Sequence, residues 1–149
     1  MPRKKAANSP LGPDRIEIDF VILADFAQAV QGKLNLIGAG WNIHNAKQYP
    51  SLLPFGIGIG ILVPWSLTNR RHNFRFVIKA SEGADVASGG VGFEVGRPLG
   101  IKPGMTQRVV VGFSGQLQLP EPGTYELIVS AAGDEKRVTF EGLPVPSAG

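Results

Sequence analysis

The segment Pro54-Phe-Gly-Ile-Gly-Ile-Gly-Ile-Leu-Val63 sets Phe55, Ile57, Ile59 and Ile61 at every second position, with Gly56, Gly58 and Gly60 between them. Successive side chains of a strand point to opposite sides, so this repeat reads as a strand with one apolar face and one bare face. A bare face costs stability and leaves room for a neighbouring backbone, an aromatic ring or a ligand. The surrounding apolar region, Leu52 to Trp65, is interrupted by two prolines and three glycines. It falls short of the roughly 20 residues that cross a bilayer, and it is assigned to the core.

The same punctuation runs through the chain. Twenty glycines and 12 prolines among 149 residues disfavour long helices, while 43% hydrophobic residues suffice for the core of one domain. Ile16, Ile18, Phe20 and Ile22 alternate with Glu17 and Asp19 in a strand that starts half exposed and ends inside. Asp25 to Val30 is assigned a single helical turn, closed by Gly32. Strands follow at Lys33–Ile37 and, after Gly38-Ala39-Gly40, around Trp41–His44. Arg71–Ala80 turns Phe74, Phe76 and Ile78 inward and Asn73, Arg75 and Lys79 outward. Val91, Phe93 and Val95 share a face, as do Val109, Val111 and Phe113, then Tyr125, Leu127, Val129 and Ala131, and finally Val138 and Phe140. Eight or nine short strands spaced by turn signals predict an all-β, antiparallel, immunoglobulin-like sandwich. Pro122-Gly-Thr-Tyr125 resembles the place where such folds seat a tyrosine whose hydroxyl ties down the preceding loop.

Charge divides the chain differently. The net charge of +3 equals the contribution of Arg3, Lys4 and Lys5, which leaves a neutral body. Residues 1–14, rich in proline and small residues, are expected to form a disordered basic arm. The sandwich is expected over 15–142 and a flexible tail over 143–149. No apolar run follows Lys4-Lys5, so no secretory signal is read and a cytoplasmic location is expected.

The inventory of reactive side chains is short. With no cysteine, disulfides, thiolate zinc sites, iron–sulfur clusters and cysteine nucleophiles are excluded. His44 and His72 lie 28 residues apart with no histidine companion, so no metal site is assigned. No serine stands in a nucleophile elbow, and Gly56-Ile-Gly-Ile-Gly60 lacks both the spacing and the following helix of a phosphate loop. No catalytic residue and no cofactor is assigned, although Asp25, Glu94 and Glu126 remain open as carboxylates that meet in space. The densest charge is Arg70-Arg71-His72 with Arg75, close to Trp65. It reads either as a surface for phosphates and bases or as a solvated turn whose charges discourage edge pairing. Trp41 and Trp65, both beside turn signals, mark either a contact face or closure of the core.

The run Ala24-Asp-Phe-Ala-Gln-Ala-Val-Gln-Gly-Lys-Leu-Asn-Leu-Ile-Gly-Ala-Gly-Trp41, with the later Pro-Gly-Thr-Tyr strand, resembles a group of short bacterial proteins classed only as a domain of unknown function. The resemblance covers about residues 15–142. It implies a bacterial cytoplasmic β-sandwich and transfers no catalytic residue. The leading expectation is a non-enzymatic sandwich that works through protein contacts, self-association among them, without membrane attachment. Two alternatives stand beside it: binding of nucleic acid or another polyanion through the arm and Arg70, Arg71 and Arg75, and a small-ligand or carbohydrate module using Trp41 and Trp65.

Overall fold

The structure, a computed structural model, describes residues 14–146. The expected basic arm therefore lies outside the described residues except for Asp14, as do residues 147–149 of the expected tail. Ten strands follow one another: β1 (Glu17–Ala24), β2 (Phe26–Val30), β3 (Lys33–Ile37), β4 (Ile43–Ala46), β5 (Ser51–Pro64), β6 (Arg71–Ala80), β7 (Asp85–Glu94), β8 (Thr106–Leu119), β9 (Gly123–Ala131) and β10 (Asp134–Pro144). A single 3-10 turn, Trp65–Leu67, follows β5. The all-β class is as the alternation predicts.

The strands form a three-stranded sheet ordered β1-β5-β8, a five-stranded sheet ordered β4-β10-β9-β6-β7, and a separate β2-β3 hairpin. The two larger sheets share one core. β5 contributes Leu53, Phe55, Ile57, Ile59, Ile61 and Val63; the facing sheet contributes Phe74, Ile78, Tyr125, Leu127, Val129 and Phe140. Full burial of each such side chain is worth about 1.5–3 kcal/mol.

Three expectations are corrected. Phe26–Val30, assigned to a helical turn, is strand β2, paired with β3 at all five positions. Gln31 (φ 50°) and Gly32 (φ 74°) form the turn between them, the two positive-φ positions that suit a tight hairpin. Pairing across that turn overrides the helical leaning of Ala27-Gln28-Ala29. One strand pair is parallel rather than antiparallel, β4 with β10. Because that pairing runs to Pro144↔Ala46, and the Val145 N–H continues it by donating to the Ala46 carbonyl at 2.9 Å, the ordered chain passes the expected boundary at 142.

The glycine face of β5 is covered from within. The hairpin lies over it: a side chain at Gly56 would meet the backbone of Phe26 and Ala27 at 2.7 Å, and one at Gly58 would meet Leu34 and Leu36 at 2.8 Å. Gly60 is covered by the ring of Phe20, its direct partner in the ladder. On β8, Gly112 makes the same allowance for the backbone of Ala27 and Gln28. Ser114 then pins the hairpin, its hydroxyl accepting from the Ala27 N–H at 2.8 Å and donating to the Ala27 carbonyl at 2.5 Å.

Tyr125 is 1% exposed, and its hydroxyl donates to the Glu121 carbonyl at 2.5 Å, so it does tie down the loop before β9. Burial raises its pKa above the ordinary 10.0, with the nearby Glu121 N–H pulling the other way. A phenol that holds its proton more tightly when folded leaves stability intact below the unfolded-state value. Stability is then lost as pH rises through and beyond it. Urea midpoints are expected to stay level as pH approaches 10 and to fall above it. In Tyr125→Phe the alkaline fall shrinks, and about 1 kcal/mol is lost at neutral pH with the hydrogen bond.

Candidate functional site

Trp41 packs edge-on against Phe55 (centroids 6.1 Å apart) and Phe140 (5.7 Å). It closes the core near the start of β5. Its indole Nε1 is buried without an acceptor. Beside it, Asp25, His44, Leu52 and Pro54 line an open crevice of about 480 Å³. His44 is engaged there, its Nε2 lying 2.9 Å from the Ser51 hydroxyl.

Trp65 follows the far end of β5. Phe55 touches Trp41 and precedes Trp65 by ten residues, so at about 3.3 Å per residue the two tryptophans lie on the order of 30 Å apart. They cannot grip one ligand, which removes the paired-tryptophan module. The Arg97 guanidinium stacks 3.5 Å from the Trp65 ring and donates to the Thr68 hydroxyl at 2.6 Å. His72 Nε2 donates to the Leu67 carbonyl at 2.8 Å, and its ring leans on Phe93 at 5.5 Å. Trp65 and His72 thus hold the connection from β5 to β6.

Arg70, Arg71 and Arg75 do share that end of the molecule with Trp65 and His72. Arg70 is exposed before β6, while Arg71 and Arg75 stand on the outward face of β6. None of the three makes an ion pair among the described residues. Arg71 spreads over Gly92 and Arg75 over Gly90, since a Cβ at either glycine would strike these side chains at 2.7 and 3.2 Å. The carboxylates left open do not gather: Glu126 is paired with Arg137 at 3.1 Å, and Asp25 lies in the Trp41 crevice. Among the described residues no three histidine, aspartate or glutamate side chains converge to hold a metal.

The sheet edges differ in a way that the sequence does not announce. The β1 edge carries Glu17 and Asp19 and a register shift between Ile18 and Phe20, and β4 is only four residues long. Charge, irregularity and shortness all discourage a further strand from adding. The Ile18 N–H also donates to the Asp134 carboxylate at 2.7 Å, which ties β1 to the start of β10. On the opposite side, β7 and β8 end their sheets. From Val86 to Phe93, β7 has no charge and no proline, only apolar residues, Ser88 and three glycines, and its own register shift is confined to the end between Asp85 and Ala87.

Between these two edges the core is open. A crevice of about 210 Å³ is lined by Phe55, Phe76, Ala87, Phe113 and Leu117, with the Phe113 ring centroid 5.2 Å from those of both Phe74, tilted, and Phe76, edge-on. Val91 is paired with the core residue Phe74, so it faces inward, yet it is 48% exposed. The opposing sheet does not reach it. The sequence puts Val91 on one face with Phe93 and Val95 and turns Phe76 inward, but it marks none of Ala87, Phe76 and Phe113 as part of a site. The available signal was the uncharged run Val86-Ala-Ser-Gly-Gly-Val-Gly-Phe93, which becomes informative only once β7 is known to be an edge.

A family model described as a family of unknown function (DUF6941) matches residues 19–140. No curated protein matches the sequence.

Proposed function

The chain belongs to the DUF6941 family of unknown function, and from that premise we propose that it acts through protein contacts rather than catalysis, taking up a partner's extended strand along the β7–β8 side. The carrying observation is the pairing of an edge strand that is uncharged from Val86 to Phe93 with an apolar crevice directly beside it. Strand addition draws affinity from main-chain hydrogen bonds and specificity from pockets for alternate side chains. The β7 edge offers the first and the Phe76–Phe113 crevice the second. The glycine face of β5 plays no part in this contact, because the chain's own hairpin occupies it. The immunoglobulin-like grouping of the sandwich is proposed on the loop-tying Tyr125.

A second reading, contact with a polyanion, is supported by Arg70, Arg71 and Arg75 being without carboxylate partners among the described residues. One experiment separates the two. The protein is panned against random peptides and, in parallel, titrated with labelled single-stranded oligonucleotide at low salt. Peptides with apolar residues at every second position are expected to enrich, and Val91→Lys is expected to abolish their binding. Failure to enrich such peptides, together with oligonucleotide binding that weakens steeply with salt, would replace the first reading by the second.

A further inference from the structure

We infer that the strand taken up by β7 is β7 of a second copy of this chain, the two running antiparallel about a two-fold axis at Gly89. This inference rests on the strand-addition reading and names its partner.

The geometry of β7 selects the pairing. In a continued sheet, directly opposed residues share a face. The inward residues Ala87, Gly89, Val91 and Phe93 must therefore meet inward residues of the second copy. An axis at Gly89 opposes Ala87 to Val91 and Ser88 to Gly90, and it does so identically in both copies, as a two-fold contact requires; the paired segment stops at Ala87, because a register shift beyond it pairs Asp85 with the outward-facing Lys79. The strand's two carboxylates, Asp85 and Glu94, stand at its opposite ends. In this register both lie beyond the paired segment 87–91, with Asp85 of one copy at the same end as Glu94 of the other.

The same register joins an exposed group to an empty place. Val91 is inward-facing but 48% exposed, and Ala87 lines the mouth of the crevice backed by Phe76 and Phe113. Each copy then sets its Val91 beside the other's Ala87 and closes the opening that its own fold leaves. At the axis, the two Gly89 residues bring no side chains into collision. The room inside is already filled by Phe76, whose ring a Cβ at Gly89 would meet at 2.7 Å. Asp85 is held by Lys79 at 2.5 Å, which offsets one of the two carboxylates at each end of the new ladder.

The absence of cysteine from the sequence makes the register directly testable. The double variant Ala87→Cys, Val91→Cys is expected to form a disulfide-linked dimer under mild oxidation, since opposed Cβ atoms in a strand pair lie about 4.5–5.5 Å apart. Light scattering of the unmodified protein should give twice the chain mass. Val91→Lys should raise the dimer dissociation constant by about tenfold or more while leaving the circular dichroism spectrum unchanged. Leu52→Lys, a change at a still more exposed apolar residue beside Trp41, should leave the dimer intact.

A dimer broken by Leu52→Lys but not by Val91→Lys overturns the inference, as does cross-linking of Ala87→Cys, Phe93→Cys in preference to the predicted pair. A protein that stays monomeric at every concentration yet enriches alternating peptides also overturns the second-copy assignment while leaving strand addition standing. A monomer that enriches no such peptide removes both.

Discussion

Gly56→Val is expected to lower stability by at least about 3 kcal/mol, beyond the usual cost of overpacking. The obstacle is backbone: the first carbon of any side chain at this position would sit 2.7 Å from the Ala27 nitrogen and the Phe26 carbonyl carbon. Backbone cannot turn aside as a flexible side chain can. The β2-β3 hairpin must therefore lift from β5 and β8. Lifting it breaks both hydrogen bonds between Ala27 and the Ser114 hydroxyl and exposes Leu34 and Leu36. Hydrogen exchange should show loss of protection confined to residues 26–37, with β6, β9 and β10 still protected. Gly115→Ala is the matched control, because nothing lies within 4 Å of its added carbon. Its effect should stay within about 0.5 kcal/mol.

Phe140→Ala is expected to cost about 3–5 kcal/mol, the range for removing a buried aromatic ring. Phe140 is fully buried and touches three other rings: Tyr125 stacked at 5.6 Å, Trp41 edge-on at 5.7 Å and Phe55 at 6.1 Å. Its loss leaves a cavity between the two sheets that these stiff neighbours fill poorly. The urea midpoint should drop, and near-ultraviolet dichroism should report a loosened Trp41. The size of the effect distinguishes this cluster from Arg97 and Trp65, whose stacking at the opposite end of β5 is exposed on one partner and is worth only about 0.5–1 kcal/mol.

These two positions mark how far the sequence can be read. The apolar face of β5, the inward alternation of β6 and β9 and the loop-tying role of Tyr125 follow from local pattern, because a side chain's face in a strand is fixed by its parity. The bare face of β5 announces a close neighbour but does not name it. The neighbours prove to be the β2-β3 hairpin and the ring of Phe20, and the Ala27-Gln28-Ala29 of β2 leans locally toward helix.

The candidate site was less legible. Of the residues singled out, Trp65, Arg70, Arg71, His72 and Arg75 do gather at one end, but Trp41 belongs to the other. A strand of 14 residues separates what the sequence lets one imagine together. Trp65 and His72 are also engaged by Arg97 and Leu67, and the Arg97 contact, which joins the turn after β5 to the loop after β7, leaves no trace in local spacing.

By itself the sequence determined the all-β class, the identity of most core positions and the exclusion of cysteine chemistry, since each depends only on residue type and parity along one strand. Which strands lie at an edge, which glycines are covered and where the core stays open were decided by the order of strands in the sheets. That order is set by contacts between segments far apart in the chain. Val91 shows the difference: its parity is the same as that of a core residue, and only the position of β7 at the end of its sheet leaves it exposed.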